Sequence, residues 1–134
     1  MKTQKVGILI GLLVLVLATL ACSGSVSTAN IGEAWMSTDE DGSSRTTVFS
    51  QEAVFYAQVD LKNAPDDTKL KAVWTAVSVE GVDPNLLIDE VEFTSGDGLV
   101  HFTLENDSLW PVGQYKVDIY LNDELDKTLT FDVQ

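Results

Sequence analysis

The sequence predicts an all-β domain, and three observations support this fold class. Apolar and polar side chains alternate over many short segments, which is the period of strands with one buried face. Gly, Pro, Asn and Asp separate these segments at intervals of roughly 8 to 12 residues. The chain beyond its N-terminal segment lacks the sustained 3.6-residue apolar period of an amphipathic helix. About seven or eight short strands in this pattern are typical of a sandwich or a small barrel.

The first 21 residues have the layout of a secretory signal. Lys2 and Lys5 precede an uncharged apolar run over residues 6–20, which is shorter than the roughly 20 residues of a bilayer span. Ala21 is small and directly precedes Cys22, the only cysteine in the chain. We therefore expect a helical signal peptide over residues 1–21, with an uncleaved signal anchor as the alternative.

This segment resembles a bacterial lipoprotein signal, whose motif is Leu, a small residue, Gly or Ala, and then a lipid-modified Cys. Ala21 and Cys22 match the motif, whereas Thr19 and Leu20 depart from its order. The resemblance implies a diacylglyceryl thioether on Cys22, with acyl chains such as palmitate. It also implies a protein that is anchored by lipid to the cell membrane and faces away from the cytoplasm.

The charge of the chain excludes one class of partner. Without residues 1–21, six basic residues remain against 21 acidic ones, which gives a formal charge of −15. A surface this negative repels phosphate backbones, so we expect no nucleic-acid binding. It also argues against polybasic attachment to anionic lipid, which leaves the acyl chains as the anchor.

The small, polar residues 22–30 predict a flexible tether, and residues 31–134 form a domain large enough for a core without disulfides. Pro and Asp clusters, such as those at residues 63–67 and 81–85, mark the breaks between its strands. Gly96-Asp97-Gly98 predicts a tight hairpin. In chain order, the predicted strands lie in residues 32–37, 46–49 (a short edge strand), 53–62, 70–80, 86–95, 99–105, 110–121 and 125–133.

The phase of the alternation predicts which side chains are buried. In residues 70–80, Trp74 shares a face with Leu70 and Ala72, and in residues 86–95 Leu87 shares a face with Val91 and Phe93. Aromatic and aliphatic side chains from several strands should therefore meet in one dry interior between two layers: Trp74, Phe93, Phe102, Tyr115, Ile119 and Phe131.

Residues 45–134 resemble an immunoglobulin or fibronectin type III sandwich. Trp74 in a mid-chain strand and the corner at residues 109–117, Leu-Trp-Pro-Val-Gly-Gln-Tyr-Lys-Val, carry the resemblance. It implies an antiparallel β-sandwich in which Trp74 packs between the sheets and Tyr115 bonds back to the chain at the corner. The paired core cysteines of antibody domains are missing, and the architecture implies no activity.

Few residues are arranged for chemistry. His101, the sole histidine, alternates with Val100 and Phe102 and should point outward. The chain has no Gly-x-Ser-x-Gly motif and no Gly-rich phosphate loop, so we expect a protein that is not an enzyme and needs no cofactor. Asp39 and Asp41 before Gly42 weakly resemble a calcium loop, although Ca²⁺ needs more oxygen ligands than this segment supplies. A solvated loop is the default interpretation.

One feature indicates binding. If Trp74 faces the core, the β-branched residues that alternate with it face outward, beside the strand that carries Tyr120. We expect a non-enzymatic binding or accessory module for an envelope protein. The alternatives are a β-sandwich that binds a ligand, calcium or cell-wall glycan, and a peptidase-inhibitor-like sandwich. The predicted partner face consists of Val73, Thr75, Val77, Val79 and Tyr120.

Overall fold

The computed structural model describes residues 28–134, and the predictions for the signal peptide, Cys22 and most of the tether lie outside these residues. The described chain is all-β, as predicted. No helix in it has the length and apolarity required to span a bilayer. The eight strands are β1 (Asn30–Ser37), β2 (Val48–Phe49), β3 (Phe55–Lys62), β4 (Thr68–Val79), β5 (Leu86–Ser95), β6 (Gly98–Leu104), β7 (Gly113–Leu121) and β8 (Glu124–Val133).

The strands form two sheets that pack face to face. One sheet has three strands in the order β1-β3-β6, and the other has five in the order β2-β8-β7-β4-β5. Neighbouring strands are antiparallel, except that the short β2 runs parallel to the end of β8. This is the antiparallel sandwich that the immunoglobulin-like resemblance implies.

Aromatic rings fill the space between the sheets. Tyr115 stacks on Phe131 with centroids 5.6 Å apart, and Trp74 meets the same Phe131 edge-on at 6.2 Å. Phe93 contacts Phe102 at 4.8 Å from the margin of the sandwich, where it remains half-buried. The predicted interior is therefore confirmed, with Phe93 at its boundary.

The corner before β7 is fixed by hydrogen bonds. The Tyr115 hydroxyl donates to the Pro111 carbonyl at 2.6 Å, which confirms the corner role that the resemblance implies. The Trp110 indole N–H donates to the Ala53 carbonyl at 2.9 Å, so this ring is held in the core as well. Trp74 is fully buried, and its indole nitrogen has no acceptor among the described residues.

The predicted hairpin at Gly96-Asp97-Gly98 is wrong. β5 belongs to the five-stranded sheet and β6 to the three-stranded sheet, so this segment crosses between the sheets. The Asp97 carboxylate accepts a hydrogen bond from the Ala64 N–H, which holds the crossing against the turn that follows β3. A turn sequence rich in Gly and Asp gives the chain reversal but does not specify which strand the next segment pairs with.

Candidate functional site

The outer face of the five-stranded sheet places β4 beside β7, as the sequence analysis expected. In the register of the two strands, Val73 lies opposite Asp118, and Lys71 lies opposite Tyr120. Thr75 is buried beneath its neighbours on this face, while Val73 and Val77 are half-buried. The predicted β-branched row therefore exists over part of its length.

Charged side chains cover the middle of this face. The Lys71 ammonium lies 4.5 Å from the centroid of the Tyr120 ring and 3.6 Å from the Glu90 carboxylate. Nearby, Lys116 lies 3.4 Å from Asp118, whose carboxylate also accepts a 2.6 Å hydrogen bond from the Thr128 hydroxyl. The face is thus a network of paired polar side chains over the β-branched side chains of β4.

Val79 does not belong to this face. The register between β4 and β7 shifts between Ala76 and Ser78, and this bulge turns Val79 inward, where it is 8% exposed and packs in the core. An extra residue in one strand reverses the alternation beyond it. The prediction for Val79 is therefore corrected, because it extended one phase through the whole strand.

Three exposed apolar residues of the sheet lie together on β5, its terminal strand. Leu86 and Leu87 are 45% and 57% exposed, and Val91 is 37% exposed. A second register shift, between Trp74 and Thr75, turns Leu87 to the outer face, so its predicted phase with Val91 and Phe93 is wrong. Among residues 28–134, β5 pairs only with β4, so no described strand covers its other edge.

Acidic side chains accompany these apolar ones on β5. Asp89, Glu90 and Glu92 are all exposed, and the strand has no basic residue. Of their described neighbours, Lys71 on β4 forms the one ion pair, with Glu90. Sequence analysis missed this edge as a site, because three acids within four strand residues indicate contact with water but not whether the strand lies at the margin of its sheet.

The Asp39-Asp41 loop uses its carboxylates internally. Asp39 accepts hydrogen bonds from the Ser43 hydroxyl at 2.6 Å and from the Ser44 N–H at 3.0 Å. These two bonds lower the pKa of Asp39 to about 2. Asp41 accepts from the Ser43 N–H at 3.0 Å, and its carboxylate lies 2.8 Å from the Ser43 hydroxyl oxygen, so the two carboxylates share the one proton of that hydroxyl. Residues 28–134 contain no group of three or more His, Cys, Asp or Glu side chains placed to hold a metal ion.

A shallow cleft of about 420 Å³ lies beside this loop. Gln58, on its wall, donates from its amide nitrogen to the Ser37 hydroxyl and to backbone carbonyls of the loop, at 3.0 to 3.3 Å. The Gln58 amide oxygen is buried and has no donor in the part of the chain described. His101 points outward, as predicted, with its Nε2 atom 3.8 Å from a Glu40 carboxylate oxygen.

A larger cleft of about 520 Å³ opens between the margins of β1 and β8. The Arg45 guanidinium lies 3.9 Å over the Trp35 ring and makes two 2.9 Å hydrogen bonds to the Glu33 carboxylate. This bidentate pair lowers the pKa of Glu33 and raises that of Arg45. The Arg45 charge is therefore paired with Glu33, and one face of the Trp35 ring is covered.

Comparison with known proteins shows the fold. No protein-family model matches the sequence, and no curated protein matches it. The structure is similar to an immunoglobulin-like protein, PA1606, from Pseudomonas aeruginosa, with a TM-score of 0.54 and 18% identity over 83% of this chain and 100% of that chain.

A second similar structure is the alkylpurine DNA glycosylase AlkC from Pseudomonas fluorescens, bound to DNA containing an abasic site analog. It is 12% identical, with a TM-score of 0.50, and the match covers 87% of this chain but 33% of the glycosylase. Identities this low show the architecture alone, since one fold hosts many unrelated functions. The chain therefore has an immunoglobulin-like β-sandwich fold.

Proposed function

We propose that this protein is a lipid-anchored, non-enzymatic binding module of a bacterial cell envelope, facing outside the cytoplasm. Its partner is an envelope protein that contacts β5 and the adjoining outer face of the five-stranded sheet. The observation that carries the proposal is the exposure of Leu86, Leu87 and Val91 on a strand whose outer edge is open. Apolar side chains grouped on a solvated surface are typical of an interaction site.

The N-terminal segment supports the anchoring part of this proposal. Ala21-Cys22 after an uncharged apolar run matches the end of a lipoprotein signal. Asn30, where β1 begins, is the eighth residue after Cys22, and a chain of that length spans at most about 30 Å. A lipid on Cys22 would keep the domain close to the membrane, within reach of other membrane-bound proteins.

The contacts of the titratable groups support a binding role over catalysis. His101 approaches Glu40 and stacks edge-on against Tyr56, and neither neighbour is a nucleophile activated for covalent chemistry. The Asp39 carboxylate is occupied by Ser43 and Ser44. By contrast, β5 offers an apolar and acidic surface that pairs with no other described strand along its outer edge.

A photo-crosslinking side chain at Leu87 in the full-length protein tests the partner face in cells. We expect one discrete crosslinked envelope protein from Leu87 and none from Thr103, an exposed residue on the other sheet. The crosslink should weaken in Tyr120→Ala and Val77→Asp, which should unfold at nearly the parental temperature, unlike Trp74→Ala. Equal crosslinking from both positions would contradict the proposal.

Anchoring has its own test. The Cys22→Ala variant should move from the membrane fraction to the soluble fraction, and labelled palmitate should be incorporated by the parental chain but not by the variant. A variant that stays in the membrane fraction would show that an uncleaved signal segment, and not a lipid on Cys22, holds the protein there.

A second candidate function is the binding of a cation at the Asp39-Asp41 loop, and one observation favours it. The buried oxygen of Gln58 lacks a donor, and Glu40 and Asp41 line the same cleft. Ca²⁺ prefers such oxygen ligands. Calcium should then raise the melting temperature of the parental chain but not that of Asp41→Asn. No response in the parental chain would remove this candidate, and with it a calcium-dependent glycan site.

A further inference from the structure

We propose that β5 binds an extended, cationic segment of the partner by β-strand addition, so that the segment becomes a sixth strand of the five-stranded sheet. The inference rests on the proposed function and names the chemistry of the partner at that same face. Three features of β5 carry it: an open backbone edge, an alternation of acidic and apolar side chains, and the absence of basic residues.

The backbone of β5 is available for pairing. It is a ten-residue strand hydrogen-bonded on one side to β4. In an antiparallel pair, alternate residues direct their N–H and C=O groups away from the neighbouring strand. The Asp89 carboxylate accepts from the Glu90 N–H at 2.9 Å and caps that donor beside the bulge. The regular part of the edge, residues 91–95, is left to pair with another chain.

The side chains of β5 define what an added strand would meet. Glu90 and Glu92 lie on the outer face, opposite Val73 and Lys71 of β4. Val91 and Phe93 point to the other side, opposite the buried Ala72 and Leu70. An added strand would therefore place alternate side chains beside carboxylates and beside apolar groups. Lys or Arg alternating with Val, Ile or Leu fits both rows.

Charge favours a basic partner over a second copy of this chain. Residues 28–134 hold 21 acids and six cations, and each of those cations lies within 3.8 Å of a carboxylate. A second β5 pairing with the first would bring acids opposite acids, which is destabilising. A basic segment would instead be attracted over a distance and neutralised on docking.

The other sheet edges lack this combination. The end of β1 is bridged by Arg45, which also pairs with Glu33 on that strand. β6 carries no acidic residue, and the outer strand β2 is only two residues long. A long strand at the edge of a sheet is usually protected from pairing with other chains. Of the four edges, β5 is the one whose side chains favour a particular partner, a basic strand.

The test uses the full-length protein in detergent micelles and a synthetic peptide of about nine residues, a typical strand length, in which Lys and Val alternate. Fluorescence anisotropy should show saturable binding that weakens with salt. Glu92→Lys should weaken binding about tenfold or more, because an attraction becomes a repulsion. Glu105→Lys, the same charge change in the loop after β6, should weaken it less than about twofold.

A second peptide separates strand addition from adsorption. It has the same charges, but its alternate backbone nitrogens are methylated, so it cannot pair along one edge. This peptide should bind at least about tenfold more weakly, since several backbone hydrogen bonds are lost. Equal binding of the two peptides, or equal weakening by Glu92→Lys and Glu105→Lys, would overturn the proposal.

Light scattering and the Leu87 crosslink distinguish the remaining outcomes. A dimer that Val91→Lys dissolves would assign the edge to a second copy and overturn the inference. A crosslinked envelope protein without peptide binding would overturn strand addition and leave the proposed function standing. Peptide binding without a crosslink would support the chemistry of the edge and contradict the proposed envelope partner.

Discussion

The hydroxyl of Tyr115 carries one of the few side-chain hydrogen bonds made inside the core. It donates to the Pro111 carbonyl at 2.6 Å, and the ring itself is 1% exposed. The bond joins two points four residues apart and so closes the corner through which the chain enters β7. Because the carbonyl lies in a partly buried corner, removal of its donor leaves an acceptor that water does not easily reach.

Tyr115→Phe should lower the free energy of unfolding by about 1 kcal/mol. Tyr120→Phe is the matched control. That ring lies on the outer face of the sheet, so removal of its hydroxyl should change the free energy of unfolding by no more than about 0.5 kcal/mol. Urea unfolding followed by Trp fluorescence measures both. Equal effects in the two variants would show that the corner bond adds no stability.

Burial also raises the pKa of Tyr115 above its ordinary value of 10.0. The neutral phenol is the form that the fold stabilises, so this contribution is complete below pH 10 and is lost as pH rises through the raised pKa. The parental protein should therefore lose stability above about pH 10, and Tyr115→Phe should lose less over the same range.

Asp39 makes the stability of the fold depend on pH in the opposite direction, in the acidic range. The Ser43 hydroxyl and the Ser44 N–H stabilise its ionised form and hold its pKa at about 2, below the ordinary 3.8. Its contribution is present above pH 3.8 and is lost as pH falls toward 2. NMR titration should give the low value directly, and Asp39→Asn should flatten the stability profile in this range. Asp107→Asn, at an exposed position, should leave the profile unchanged.

At the scale of the elements, β7 begins where glycine is required. Gly113 has φ of +149°, and a Cβ atom there would lie 2.4 Å from the Ser78 carbonyl oxygen and 2.6 Å from the Val79 Cα. The end of β4 and the start of β7 can approach so closely only without a side chain. This approach lies just beyond the bulge that turns Val79 inward, where Val79 pairs with Gly113.

Gly113→Ala should destabilise the fold by about 3 kcal/mol, because steric overlap with backbone adds to an unfavourable φ. Gly81→Ala is the control. Gly81 has a φ of +81°, but nothing lies within 4 Å of an added Cβ atom, so the loss of stability should be only the cost of a positive φ, about 1 kcal/mol. Urea midpoints compare the two. Equal losses would indicate that the close contact relaxes at little cost.

Alternation predicted most of the elements but not their interruptions. The inward rows of β6 and β7 follow strict alternation, and the sequence alone assigned Phe102, Tyr115 and Ile119 to the interior, where they are buried. The bulges in the pairing of β4 depend on partners more than ten residues away, so Val79 and Leu87 were assigned to the wrong faces. The crossing from β5 to β6 was missed for the same reason.

The candidate site was predictable in part. Placement of β4 beside β7 followed from the immunoglobulin-like resemblance, and it brought Val73 and Tyr120 to one face. The sequence analysis did not predict the open edge of β5. A strand in which acidic and apolar residues alternate has the same sequence pattern at the margin of a sheet as in its middle. Only the strand order shows that β5 has a single neighbour.

For the whole molecule, charge imbalance opposes compactness. Fifteen carboxylates in residues 28–134 remain in excess after each of the six cations is matched to one acid. Like charges on one small surface repel, and dissolved salt screens that repulsion. Salt also weakens the six ion pairs. Because these pairs are mostly exposed, they contribute little to stability, and their weakening should matter less than the screening of the repulsion.

The melting temperature should therefore rise by roughly 4 to 8 °C, or about 1 kcal/mol, between about 10 mM and 200 mM sodium chloride. Calorimetry measures the shift, and choline chloride at the same ionic strength should reproduce it if screening is the cause. A fall in melting temperature would show that the ion pairs outweigh the net repulsion.

The parallel contact of β2 with β8 determines when the domain can be completed. Phe49 is 2% exposed because its ring meets Phe131 at 5.4 Å, and the N–H groups of Asp132 and Gln134 donate to carbonyls of Thr47 and Phe49. Phe49 pairs with Val133, so β2 can join the sheet only after β8 has formed, and a chain in which β8 is unfolded leaves the Phe49 ring without its contact to Phe131.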